Sequence, residues 1–215
     1  MTDFLYPFLD HDEDDLDALL DDLTRSAHDK ADISAALVES TLEQLDGDLH
    51  AAARDVAECL VRGGRLLTFG NGGSSTDASG LAALFATPPH GPPLPAVALT
   101  GDSAVLTALG NDVGFPLVFS RQVIAYAAPD DVAVGFSTSG NSANLLMAFD
   151  AARDRGLLTV GFAGYDGGDM AGAGLDHCLV VRSDSIHRIQ ETQAALGFAL
   201  WRMVHAELDG SHAHA

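Results

Sequence analysis

The chain has 215 residues, enough for one domain or a domain with an added arm, and 47% of them are hydrophobic, enough for a full core. Its 31 acidic residues against 11 basic ones leave a net charge of −20, which argues against binding DNA or an anionic membrane across the whole surface. Cys59 and Cys178 sit in apolar surroundings without metal spacing and read as core residues of a reducing cytosol, and no apolar run reaches membrane-spanning length.

Residues 1–12 carry an apolar, aromatic stretch, Phe4-Leu5-Tyr6-Pro7-Phe8-Leu9. Such an arm is expected to dock on its own domain or on a neighbouring subunit. The opening Met1-Thr2-Asp3-Phe4 has no cationic segment, so no signal peptide is expected and the expected location is cytoplasmic. Leu16, Leu19, Leu20 and Leu23 form a narrow helical stripe over 13–29, with carboxylates on the other face. A second helix is predicted over 31–45 and a third, after Gly47, over 49–62. This divides the chain into an N-terminal arm and acidic helix, 1–30, and a domain, 31–215.

From Gly63-Gly64, a helix C-cap signal, strands and helices alternate. Strands are predicted at 65–69, 96–99, 131–136, 157–162 and 176–181. Helices are predicted at 76–85, from 104, at 117–127, at 143–155 and at 186–208, with a frayed tail over 210–215. This alternation implies an α/β fold, a doubly wound five-stranded parallel sheet covered on both faces, beside an N-terminal helical region. Ligands of such sheets bind beyond the carboxyl ends of the strands, where the strand order reverses.

The turns after strands one, two and three carry the polar content on that rim, the one after strand two being Thr100-Gly101-Asp102-Ser103, and two of them stand out. Gly70-Asn71-Gly72-Gly73-Ser74-Ser75 follows the first strand. It lacks the Gly-Lys-Ser/Thr of a Walker A loop and the third glycine of a dinucleotide fingerprint. Its glycines, Gly72 among them, permit close backbone approach to a ligand, while Asn71 and Ser74 offer hydrogen bonds. The second turn, Ser137-Thr138-Ser139-Gly140-Asn141-Ser142, opens a helix. Unpaired amides at a helix start, the helix dipole and four hydroxyls make an anion cradle. A plain Ser/Thr N-cap is the simpler alternative.

Gly-Asn-Gly-Gly-Ser (70–74) and Ser-Thr-Ser-Gly-Asn-Ser (137–142), together, resemble the sugar isomerase (SIS) domain. More narrowly they resemble the phosphoheptose isomerase family and its relatives that associate with the replication initiator. Gly110-Asn111-Asp112, Ser120-Arg121, 164–168 and Arg188-Ile189-Gln190-Glu191 follow in the family's order, so the resemblance covers about 31–208. It implies a flavodoxin-like sheet, a homotetramer and a sugar-phosphate ligand. It implies phosphate on Ser137, Thr138, Ser139 and Ser142, and sugar on Asn71, Ser74 and Asp102. Gln190 matches a metal-ligand position of the zinc-dependent isomerases.

The departures from the family pattern bear on chemistry. In those isomerases the helix after the first turn supplies a His and, one turn later, a Glu; here the positions hold Gly80 and Leu84. The second catalytic His, which follows the Gln by two turns, is Phe198 here. An aldose–ketose isomerase needs a base at carbon and an acid at the carbonyl oxygen. A lone Gln190 does not make a zinc site, which takes about four donors. No metal and no cofactor is therefore expected. His187 with Asp102 is the relocated acid–base pair that the sequence offers, although Asp102 also suits a helix cap. Arg188 faces either the anion or Glu191.

The expected function is a sugar-phosphate-binding SIS protein without the usual zinc and acid–base centre. The alternatives are an active phosphosugar isomerase with a relocated pair, and a regulatory protein similar to the initiator-associating relatives. Expected partners are a phosphorylated sugar, further copies of the chain and a possible protein partner, with no membrane and no direct nucleic-acid contact.

Overall fold

The structure, a computed structural model, describes residues 16–212. The aromatic arm at 4–9 lies outside the described residues. The chain divides into two compact units between Leu37 and Val38. Helix α1, Leu16–Gln44, runs through that point without a break. The two predicted helices at 13–29 and 31–45 are thus one. No glycine or proline interrupts 16–44, and the charged Asp29-Lys30 is tolerated within a solvated helix. Helix α2 spans Asp46–Val61 and buries Leu49, Ala52, Ala53 and Val56, a 3–4 residue spacing that marks one face. Among the described helices, none is long and apolar enough to cross a membrane.

The alternating part follows in order: β1 Leu66–Gly70, α3 Gly73–Ala86, β2 Ala96–Ala98, α4 Ser103–Asp112 and α5 Val118–Tyr126. Then come β3 Val132–Ser137, α6 Ala143–Asp154, β4 Leu158–Gly164, the short α7 Gly168–Gly172, β5 His177–Val181 and α8 Ile186–His212. Helix α7 was not expected, because five residues with two glycines carry no helical period. Helix α8 continues past the predicted end near 208 to His212.

The strands form one all-parallel sheet in the order β2-β1-β3-β4-β5. The order reverses between β1 and β3, whose register pairs Leu66 with Val132 and Gly70 with Phe136. Every residue of β1 and β3 is buried, as a sheet covered on both faces requires. Leu67 and Phe69 face a core with Phe119, Leu145 and Phe149, and Phe69 lies 5.6 Å from Phe119 and 5.2 Å from Phe149 between ring centres. Thr68 turns the other way and donates to the Ala78 carbonyl of α3 at 2.7 Å. Helix α8 packs on that second side against α2 and α3.

Asp131 ties the amino end of the sheet together. It is buried, and it accepts from the Arg65 amide at 3.0 Å, the Arg65 guanidinium at 3.3 Å and the Ala128 amide at 2.9 Å. The carboxyl ends of β1 and β3 are left for the two polar turns.

Candidate functional site at the strand switch point

The turn after β1 and the turn after β3 stand side by side, as the register of their strands requires. A reciprocal amide pair joins them: Asn71 Nδ2 donates to Asn144 Oδ1 at 2.8 Å, and Asn144 Nδ2 donates to Asn71 Oδ1 at 2.9 Å. Asn144 sits in the first turn of α6 and is buried. Gly72 has φ +54, a left-handed conformation that only glycine enters cheaply, and from there α3 begins. Ser74 is buried at the start of that helix. The Gln190 side-chain amide lies against Gly73, where a Cβ would overlap it. The structure therefore brings Asn71, Gly72, Ser74 and Gln190 to one rim with the hydroxyl loop.

Within that loop the four hydroxyls do different things. Ser137 is buried, accepts from the Gly140 amide at 3.1 Å and lies 3.1 Å from the Ser142 hydroxyl. It braces the turn. Ser139 is exposed and accepts from the Asn141 amide at 3.2 Å, while Thr138 and Ser142 are half-buried. Ser142 is the N-cap residue of α6 but gives the helix no side-chain bond. The first turn of α6 thus keeps amide donors for an external acceptor. The simple N-cap alternative does not describe this geometry.

A neighbouring turn holds the loop in place. The Met170 amide donates to the Gly140 carbonyl at 2.9 Å, and the Asp169 amide donates to Asn141 Oδ1 at 2.8 Å. Gly140 has φ +67, and a Cβ there would run into the Gly167 carbonyl. Gly140→Ala is expected to lower stability by about 2–4 kcal/mol, from left-handed strain and overpacking. Urea unfolding checks this; an unchanged midpoint would mean that the brace is not needed.

Asp102 and His187, the acid–base candidates of the sequence, stand on separate elements with contacts of their own. Asp102 Oδ1 accepts from the Ala104 amide at 2.9 Å and the Val105 amide at 3.1 Å, so it caps α4. His187 is exposed in the first turn of α8. Arg188 pairs with Glu191 at 2.6 Å, one helical turn away. His177, at the amino end of β5, bonds to Asp55 at 2.8 Å, remote from the rim.

A cavity of about 300 Å³ opens between α3 and α8, and its lining includes Phe136, one residue before the hydroxyl loop. Gly80, Leu84 and Phe198 all line it. Gly80 and Leu84 share a face of α3 by their i, i+4 spacing. None of these three side chains can donate an electron pair to a metal. Among the described residues, the only ionisable group in the lining is Asp77, joined by Thr76 and Gln193. Burial pushes the Asp77 carboxyl up to about 6. Asp77 and Gln193 escaped the sequence reading. Asp77 is the one carboxylate on α3, a turn before Gly80, and that placement was the available signal.

The SIS-domain family matches residues 31–164. The phosphoheptose isomerase of Solidesulfovibrio magneticus is 53% identical over 158 residues, covering 73% of this chain and 76% of that protein. The chain belongs to the phosphoheptose isomerase family of SIS-domain proteins. The Roseiflexus phosphoheptose isomerase is 41% identical over 192 residues, 87% of this chain and 96% of that one. Among solved structures, the phosphoheptose isomerase of Neisseria gonorrhoeae superposes with a TM-score of 0.80 at 38% identity, covering 86% of this chain and 99% of that chain. The five-stranded sheet of this phosphoheptose isomerase-like protein is therefore the SIS fold, and the two polar turns occupy its switch point.

Proposed function

We propose that this SIS protein binds a sugar phosphate, with the phosphate on Thr138, Ser139, Ser142 and the start of α6 and with Ser137 bracing the loop. Asn71, Gly72, Ser74 and Gln190 line the way to the sugar. Asp102 belongs to the sugar side only by resemblance; its carboxylate is engaged in capping. The zinc-dependent centre of the related isomerases is not carried by this chain. The donor set does not fit zinc: where the resemblance implies a His, a Glu and a second His, the cavity wall holds Gly80, Leu84 and Phe198. Gln190 leaves a single neutral amide, short of the roughly four donors zinc takes. No step of the chemistry here is assigned to a metal.

The observation that carries this reading is the hydroxyl loop. It is fixed from behind by Gly167, Asp169 and Met170, and it turns an uncapped helix start and an exposed Ser139 outward. A loop kept only for packing has no need of that arrangement. The names of the relatives point to a phosphorylated heptose as the first compound to try.

Sedoheptulose 7-phosphate is expected to raise the melting temperature of the chain, and Ser139→Ala to weaken that response. Loss of one hydrogen bond to a charged phosphate costs about 1.5–3 kcal/mol, roughly 10- to 100-fold in affinity. An equal response in Ser139→Ala would remove the phosphate from this loop.

A further inference from the structure

The cavity between α3 and α8 has a mostly apolar lining that includes Leu81, Leu84, Phe136 and Phe198, and Asp77 and Gln193 are among its polar lining residues. Gln193 is fully buried. Both of its amide atoms, and Oδ2 of Asp77, are buried with no hydrogen-bond partner among the described residues. A fold pays heavily for such atoms unless a bound molecule completes them. Among the described residues no second titratable group lines the cavity, and burial raises the Asp77 carboxyl to about 6. A carboxyl of that kind exchanges a proton readily near neutral pH.

We propose that Asp77 and Gln193 form a metal-free proton-transfer pair for aldose–ketose isomerisation of the bound sugar phosphate. This rests on the sugar-phosphate reading above and adds a reaction to it. Starting from the ketose, the Asp77 carboxylate removes a proton from C1. The C1–H electron pair becomes the C1=C2 bond of an enediolate, and the carbonyl pair moves onto O2. The Gln193 amide N–H donates to that oxyanion, the role of a preorganised donor. The O1 hydroxyl proton crosses to O2, C1 becomes the carbonyl carbon, and the Asp77 carboxyl returns its proton to C2. Carbon 1 is oxidised and carbon 2 reduced within one molecule, so no outside oxidant or reductant enters. This pair replaces His187 and Asp102, which are exposed and engaged in a cap respectively, as the carrier of the chemistry.

The test follows deuterium incorporation from D2O into sedoheptulose 7-phosphate by NMR, with the full chain in chelator. The wild type is expected to exchange the C1 hydrogen, with a rate that rises with pH through an ionisation near 6. Asp77→Asn, which keeps the shape of the side chain, is expected to lower that rate at least ~100-fold and to abolish the pH limb, as removal of a general base does. Gln193→Leu is expected to lower it at least ~10-fold by removing the oxyanion donor. Melting curves with and without the sugar phosphate report folding and binding of each variant. A wild type that is stabilised by the sugar phosphate but exchanges no deuterium overturns the pair while leaving the binding reading intact. A folded Asp77→Asn that exchanges at the wild-type rate does the same. A wild type that the sugar phosphate does not stabilise overturns both.

Discussion

The combined substitution Gly80→His, Leu84→Glu and Phe198→His is expected to yield a protein that retains stoichiometric zinc through dialysis, where the parent chain retains none. The three positions already line one cavity. A Cβ at Gly80 meets nothing within 4 Å, so an imidazole has room to enter. Phe198 is 45% exposed, and its exchange for His forfeits part of a ring contact with Trp201 rather than a core. Leu84→Glu removes apolar lining and supplies the one charged ligand. With Gln190 as the fourth donor, two imidazoles, a carboxylate and an amide approach the donor number zinc takes. Because a structural metal binds only the folded form, zinc is also expected to raise the melting temperature of this variant. Elemental analysis after dialysis checks the first outcome. A folded triple variant without zinc would show that these positions do not converge on one ion. Zinc in the parent chain would show that other residues hold a centre.

Asp77→Asn is expected to gain stability over the wild type as pH rises. The folded state holds the Asp77 proton up to about 6, against a reference value of 3.8. A raised carboxyl leaves stability intact at low pH, where both states are protonated. Stability falls as pH climbs through the unfolded value toward the folded one, and the loss is complete above the folded value. Asn carries no such penalty. Discounted for the solvent-exposed part of the side chain, the difference between wild type and Asp77→Asn should grow by about 1–2 kcal/mol between about pH 5 and about pH 8. Urea midpoints at the two pH values measure it. A constant difference would place Asp77 in contact with water rather than in the cavity wall.

Much of the fold was legible because each strand carries its own signal. Leu66 to Gly70 and Val132 to Ser137 are short buried runs that end in polar turns, and such runs fix both the strand and the side of the sheet on which its turn emerges. The hydroxyl loop was legible for the same reason. The division into two helices at 13–29 and 31–45 was not borne out, since no glycine or proline in 16–44 stops a helix locally. The distinct part played by Ser137 was hidden too. Four adjacent hydroxyls look alike in sequence, and only the backbone path decides which one turns inward to Gly140.

The proposed proton-transfer pair was the hardest to see. Asp77 and Gln193 lie on α3 and α8, more than a hundred residues apart, and neither stands in a motif. Helix packing brings them to one cavity, and the missing hydrogen-bond partners become visible only there. Asp102 shows the converse. Its place after β2 suggested chemistry, but two amides of α4 claim its carboxylate. A single position before a helix satisfies both patterns, and the orientation of the side chain selects between them.

Sugar-phosphate binding by the hydroxyl loop is expected to need no metal. It is tested most directly by calorimetric titration of sedoheptulose 7-phosphate into the wild type and into Ser139→Ala, both in chelator. Binding to the wild type, weakened roughly 10- to 100-fold in Ser139→Ala, is the predicted result. Binding that vanishes from the wild type when metal is removed, or that Ser139→Ala leaves untouched, would contradict it.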